Sequence, residues 1–404
     1  MDPATGKRLR AKGVADRSAL TANGRVSLNR RRWHSPNCGS LTPADPLLDA
    51  AEATVSLGAR ELCCRTNAGS RSFAKAAENL KRIGQISIST ESLRQVVEDE
   101  GKAAQKAGES GTLKPGWRAA DCKVRTPEGK QVTRVYVGTD GFMVPVLTDA
   151  EKRKRREQVV AARRKRGKDQ PKLPPLPTRK EGADQRYKES KLIQFHDETM
   201  ERRLVSVTRK PCDVAGRIMR RDANRIGFDE ADERIGNVDG GPWIVGQITR
   251  ICLVLTALCL DFYHLGEHVN AAKRATFGEK SQEGDAWAGE LMHLVKHQGY
   301  LPFWERLLSW RSQQRGKRKR KEADGLLSYV SERQQMICYE QCLRHGWRIS
   351  SSTTESECGA LPQRVRGAGK RWDSDNAEAV MALEALDQSH LWDSYWSTCA
   401  WQSN

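Results

Sequence analysis

Val135–Val146, VYVGTDGFMVPV, constrains this chain more than any other stretch. Its first half alternates into an apolar strand that ends at Asp140; Gly141 follows, and a second apolar run begins at Phe142. A strand that runs into Asp-Gly and on into more apolar residues reads as a hairpin. About a hundred residues later Ile235–Trp243, IGNVDGGPW, places Asp239 at a second strand end, and a third acid follows at Glu355. Singly, each acid fits an ordinary turn or capping carboxylate. Together, three carboxylates far apart in sequence, two of them at strand ends, are the oxygen donors that a divalent-metal phosphoryl-transfer site uses.

Charge and length narrow the classes. The chain has 404 residues and a net charge of +18, enough length for two or three domains and a balance that favours a polyanionic partner, nucleic acid before anionic membrane. The longest apolar segment, Ile251–Leu260, is bounded by Arg250 and Asp261 and is too short to span a bilayer, so it reads as buried core. The start, MDPATGKRLRAKG, lacks an apolar core for a secretory signal. Eleven scattered cysteines then read as reduced thiols in a cytoplasm.

Residues 1–50 are basic, rich in Gly, Ser and Pro, and weakly patterned, which reads as a mobile basic arm. Ser35-Pro36-Asn37-Cys38-Gly39 looks like half of a zinc knuckle whose first Cys is Ser35. One thiolate cannot close a tetrahedral site, and no Cys-x-x-Cys exists elsewhere, so structural zinc is not expected. Phe73, Ala76, Ala77, Leu80 and Ile83 recur at helical spacing up to Gly84. Ser89 or Thr90 then caps a second helix with Leu93, Val96 and Val97, closed by Gly101. The pair suggests a helix-turn-helix, although a plain helical hairpin fits the pattern equally well. Residues 102–116 read as a linker.

Lys152–Lys168 carries ten Lys or Arg in 17 residues and precedes PKLPPLP at Pro171–Pro177. This reads as a solvated basic helix and a stiff proline loop, suited to phosphate contacts through Arg153, Lys154, Arg155, Arg156, Arg163, Arg164, Lys165 and Arg166. Lys191–Glu198 and Arg203–Thr208 read as strands, Pro211–Ile226 as a helix, then the Asp239 strand, a helix over Trp243–Ile251, and the apolar segment ending in Asp261. That order predicts a mixed α/β sheet of the ribonuclease-H type. From about 265 to 345 the pattern is helical and includes a second basic cluster at Lys317, Arg318, Lys319 and Arg320. Arg366–Trp372, RGAGKRW, adds Arg366, Lys370, Arg371 and Trp372 to the residues that could grip DNA, before a helix over Ala377–Leu386.

Four spaced motifs carry a resemblance: DGFMVPV at 140–146, VDGGPWI at 238–244, LDFYHLGEHV at 260–269, and TESECG followed by RVRGAGKRWDSDNAEAVMALEAL within 354–386. In this order they resemble DDE-type transposases of bacterial insertion sequences, and among these the Kra-type family, a relative of the mutator-like transposases. The resemblance runs from about Val135 to the C-terminus. It implies an α/β, ribonuclease-H-like mixed sheet with an all-helical insertion and a mostly helical N-terminal DNA-binding region. It places a catalytic, metal-binding triad on Asp140, Asp239 and Glu355, with Glu357 as the competing third ligand. It also implies two Mg²⁺ (or Mn²⁺) per site, double-stranded DNA as element ends and target, a homo-oligomer on DNA, no membrane, and a nucleoid-associated place in the bacterial cytoplasm. Two Mg²⁺ about 3.5–4 Å apart would clamp an in-line transfer. Two departures stand out: Ser35 for a knuckle Cys, and Ser350-Ser351-Ser352 where the family has Gly-Ser-Gly before the Glu.

The expected division is then residues 1–69, a basic, partly disordered arm with a degraded zinc knuckle; 70–116, a helix-turn-helix-like DNA-binding region and linker; 117–264, the first part of the ribonuclease-H-like core, with a basic and Pro-rich insertion at 149–186; 265–345, a helical insertion; and 346–404, the final Glu segment and C-terminal helix. Two rivals stand beside an active transposase. One is a decayed, non-catalytic DNA-binding remnant. The other is a zinc metalloprotease, because His264-Leu265-Gly266-Glu267-His268 is H-x-x-E-H. Otherwise Asp261, His264, Glu267 and His268 are near-site residues that position DNA or the metal-bound carboxylates.

Overall fold

Arg10–Leu41, expected as an unpatterned arm, folds into a three-stranded antiparallel sheet of β1 (Arg10–Thr21), β2 (Gly24–Ser35) and β3 (Gly39–Leu41). A two-residue loop joins β1 to β2, with Thr21 paired to Gly24 and Gly24 at φ +102°, a conformation open to glycine. The period-two signal was hidden because both faces carry charge and, of these two strands, only Ala19, Leu20 and Ser35 are buried. The computed structural model describes residues 6, 8–35, 39–42, 54–167, 184–367 and 369–402. The knuckle residue Cys38 and the proline loop at 171–177 lie outside the described residues.

The chain divides into two compact units, 1–114 with 145–186 and 362–404, and 115–144 with 187–361. This differs from the expected division, which assigned 149–186 and 362–404 to the core and its last segment. In the first unit, α1 (Leu57–Ala68), α2 (Phe73–Arg82) and α3 (Thr90–Ser110) start at Ser56, Ser72 and Ser89, whose hydroxyls accept from Ala59, Lys75 and Ser92. The basic helix α4 (Asp149–Lys165) opens on a capping box in which Thr148 and Glu151 satisfy each other's backbone N–H.

The second unit is mixed α/β. Strands β4 (Lys123–Arg125), β5 (Gln131–Pro145), β6 (Tyr187–His196), β7 (Arg203–Thr208), β8 (Glu233–Val238) and β9 (Ala257–Leu260) form one sheet in the order β7-β6-β5-β8-β9, with β4 on β5. β6 and β7 are antiparallel, whereas β5, β8 and β9 run parallel. Helices α5 (Cys212–Ile226) and α6 (Pro242–Arg250) provide the crossovers. Five helices follow, α7 (Phe262–Thr276), α8 (Gln282–His297), α9 (Tyr300–Gln313), α10 (Lys317–Glu332) and α11 (Tyr339–His345), and α12 (Ser352–Ala360) closes the unit. Their core includes Leu265, Val269, Trp287, Leu291, Phe303, Leu307 and Trp310. The expected helical block is therefore present. The apolar segment Ile251–Leu260 is not uniformly buried, since a turn exposes Val254 before β9 begins.

The chain returns to the first unit with α13 (Ser374–Gln388) and α14 (Trp392–Gln402). Gly101, expected to close a helix, sits inside α3 and lets α13 cross it closely: a Cβ there would lie 2.2 Å from the Ala379 carbonyl oxygen. Because the obstacle is backbone, Gly101→Ala is expected to destabilise the unit by about 1–3 kcal/mol, the usual cost of overpacking. A fall in the urea midpoint at unchanged slope is the measurement that checks it.

Candidate active site

Three aspartates line up just beyond the last paired residues of the parallel strands. Val137 pairs with Gly236 and Val238 with Leu260; carried a few residues further, the same register sets Asp140 level with Asp239, and Asp239 level with Asp261. Carboxyl ends of parallel strands are where open α/β sheets bind ligands. The hairpin expected at Asp140-Gly141 does not form. β5 runs straight through it, because neither residue adopts the positive φ that a tight hairpin turn needs. Asp239 does end its strand: Gly240 follows at φ +78°, and the Asp239 carboxylate accepts from the Gly241 N–H at 2.8 Å.

Glu355 reaches this edge on α12, and the connector before that helix is fastened to the sheet along its length. Buried Arg134 on β5 donates to the carbonyls of His345 and Gly346. Arg348 N–H donates to the Tyr136 hydroxyl and its guanidinium to Glu198. Asn237 on β8 donates to the carbonyls of Arg348 and Ser350, and Phe262 N–H donates to Ile349. Asp261 then receives the Ser351 N–H at 2.5 Å and the Ser351 hydroxyl at 2.9 Å, while its other oxygen caps α7 at His264. The middle serine of the Ser350–Ser352 run is thus a joint between β9 and α12.

Gly138 completes the placement. A Cβ on Gly138 would fall 2.0 Å from the Thr354 hydroxyl and 3.2 Å from its Cβ, so glycine lets α12 lie this close to β5, two residues before Asp140, without the Thr354 side chain having to move. The competing acid points elsewhere: Glu357 is buried and ion-paired to Arg203 at 3.0 Å, whereas Glu355 is exposed and accepts from the Ser351 hydroxyl.

Burial raises the Asp140 carboxyl above its ordinary range, the Gly141 N–H opposes this, and the charge of Asp239 adds to the rise. Burial also raises Glu355, followed by the charge of Asp261, with smaller contributions from Asp140 and Glu267. Among the described residues no Lys or Arg pairs with Asp140, Asp239 or Glu355, although the whole chain is strongly basic. Such uncompensated oxygen donors fit a hard divalent cation. The donor atoms of the three are not, however, all within 4.8 Å of one another.

The remaining expected residues separate into groups. His264 pairs with Glu267 at 3.3 Å, while the His268 ring stacks on Tyr329 with centroids 3.6 Å apart. Among the described residues no third ligand groups with these two histidines. Arg153, Lys154, Arg155, Arg164, Lys165 and Arg166 are exposed on α4 and just after it, Arg156 and Arg163 are half-buried, and Lys317, Arg318, Lys319 and Arg320 are exposed at the start of α10. Trp372 is not presented for base stacking. It is buried, donates its indole N–H to the Val365 carbonyl and packs edge-on against Phe73. Arg371 pairs with Glu151, and Lys370 donates to the Arg364 carbonyl. Arg366 follows the turn at residues 361–365.

Sequence reasoning missed the Arg134–Asn237–Arg348 clamp, the contact of Gly138 with Thr354, and a cluster of Cys259, Cys338 and Cys342 whose sulfur atoms lie within 4.8 Å of one another. Only the Cys338-x-x-x-Cys342 spacing, one helical turn, was legible as a signal. It also missed His196, which is buried with its Nδ1 on the Asp197 carbonyl and its Nε2 on the Thr353 hydroxyl next to Thr354. Burial lowers His196 to about 4. The unfolded chain, with His near 6.5, binds this proton first, so the contribution is complete above about pH 6.5 and is lost as pH falls towards 4. The loss expected is about 3 kcal/mol. Denaturation midpoints measured from pH 7 to 4 should show it, and His196→Gln should flatten that part of the profile.

The chain matches no protein-family model, and no curated protein matches it.

Proposed function

We propose that this protein is a DDE-type transposase that cleaves DNA strands at the ends of an insertion sequence and joins them to target DNA in a metal-dependent reaction. The observation that carries the proposal is that Asp140 and Asp239 lie level on adjacent parallel strands with Glu355 brought to the same edge on α12, and that among the described residues no basic side chain pairs with them. The strand order β7-β6-β5-β8-β9, with β6 and β7 antiparallel and the rest of the order parallel from β5 onward, supports a ribonuclease-H-like reading of the sheet.

In this reading Asp140, Asp239 and Glu355 hold Mg²⁺ (or Mn²⁺). Such ions, when bound, would activate an attacking oxygen and stabilise the leaving one. Asp261 acts as a positioning residue, since both its oxygens are spent on Ser351 and the first turn of α7. The exposed basic residues of α4 and α10 supply phosphate contacts, which set affinity without reading sequence.

The test is a labelled duplex carrying the element's own ends, incubated with Mg²⁺ or EDTA beside two variants. Glu355→Gln should abolish nicking and joining, whereas Glu357→Gln should keep the chemistry and lower the melting temperature, because it weakens a buried pair to Arg203. Loss of activity in Glu357→Gln with retention in Glu355→Gln would reverse the assignment of the third acid. Cleavage that persists in EDTA would sink the metal reading.

A further inference from the structure

Cys259 lies on β9, two residues before Asp261, and Cys338 and Cys342 lie one turn apart at the start of α11, with Cys338 as its N-cap residue. Their three sulfur atoms fall within 4.8 Å of one another, and the Cys338 and Cys342 sulfurs are 3.7 Å apart. A disulfide would bring two sulfurs to about 2.05 Å. Thiolates on a tetrahedral zinc, each about 2.3 Å from the metal, stand about 3.8 Å apart. Cys259 and Cys342 are fully buried, whereas Cys338 is partly exposed and leaves an entry path.

We propose that Cys259, Cys338 and Cys342 bind a zinc ion through three thiolates, with solvent as the fourth ligand on the Cys338 side. Each thiol gives its proton to solvent on binding, so uptake releases protons. The donor sets keep the two cations apart: thiolates select zinc, whereas the carboxylates of Asp140, Asp239 and Glu355 suit magnesium. The ion would tie α11 to β9, which otherwise meet through weak contacts such as the Cys338 thiol on the Leu258 carbonyl at 3.9 Å. Since α11 leads through Trp347–Ser351 into α12, the clasp would also steady Glu355. That last consequence rests on the function proposed above, whereas the metal site itself does not.

The test uses the full-length protein purified under reducing conditions without added metal. About one zinc per chain by elemental analysis is expected for wild type and for Cys122→Ser, a buried cysteine outside the cluster, and none for Cys338→Ser. Cobalt in place of zinc should give intense thiolate-to-metal charge-transfer absorption that Cys338→Ser abolishes. Removing zinc with a strong chelator should lower the melting temperature of wild type and leave that of Cys338→Ser unchanged. Cys338 is the least buried of the three, so its serine variant is the one best placed to fold, and circular dichroism checks that it does. A wild-type protein without zinc whose reduced form gives no cobalt charge-transfer band would overturn the proposal. So would a Cys338–Cys342 disulfide found by mass spectrometry in freshly lysed cells, or full zinc retention in a folded Cys338→Ser. None of these readouts depends on strand cleavage, so loss of the zinc site and loss of the transposase reading remain separable.

Discussion

Asp140→Asn should lower metal-dependent strand cleavage by about three orders of magnitude or more while leaving duplex affinity nearly unchanged. The magnitude follows because metal-ion charge stabilisation is worth several kcal/mol and about 1.4 kcal/mol corresponds to tenfold in rate. The substitution keeps the shape and the bond from the Gly141 N–H but removes one charge from the row of aspartates. Affinity survives because phosphate contacts come from cationic side chains elsewhere. The Asp140 position also predicts a pH effect. Its carboxyl is raised, first by burial and also by Asp239, so protons compete with the cation at a higher pH than for an ordinary aspartate. Apparent Mg²⁺ affinity should therefore weaken on acidification before exposed carboxylates begin to titrate. Single-turnover cleavage measured against Mg²⁺ at several pH values, beside binding measured in Ca²⁺, checks both parts. Cleavage in Asp140→Asn within tenfold of wild type would remove this acid from the site.

Arg134→Met is the largest stability change expected. Arg134 is 2% exposed and donates to Glu233 at 2.6 Å, to Glu198 at 3.0 Å, and to the carbonyls of Gly346 and His345 at 2.9 and 3.1 Å. Removing one member of a buried charged network costs about 3–5 kcal/mol, because the partners are left uncompensated. Glu198 keeps Tyr136 and Arg348, so Glu233 and the two carbonyls carry most of the loss. Arg134→Lys should rescue only part of it, since a point charge cannot reproduce four directed contacts. Denaturant unfolding followed by tryptophan fluorescence measures the cost. Because those carbonyls begin the connector to α12, cleavage by the folded fraction should also fall, whereas a purely global effect would leave it unchanged.

Much of this arrangement was legible in the sequence, for local reasons. Strands β6 and β7 and helices α5 and α6 follow from periodicity within a few residues. The start of α3 follows from Ser89, whose capping chemistry spans three positions, whereas the Thr148–Glu151 box starts α4 at Asp149, ahead of the basic run read from Lys152. Apolar runs ending at Asp140, Asp239 and Asp261 could be counted along the chain. The N-terminal sheet was not legible because its strands carry charge on both faces and have little apolar contrast.

The chain's order alone determined that a mixed α/β unit with a helical block would form and that Asp239 and Asp261 would follow strand ends, since propensity, capping and hydrophobic period are properties of neighbours. Only the tertiary structure decided how these residues are placed. Parallel register sets Asp140, Asp239 and Asp261 level, Arg203 occupies Glu357 and leaves Glu355, Gly138 admits Thr354, and β9 meets α11 at three thiols. Each of these depends on pairing between residues tens to hundreds of positions apart, and no local pattern encodes strand register or the approach of a distant helix.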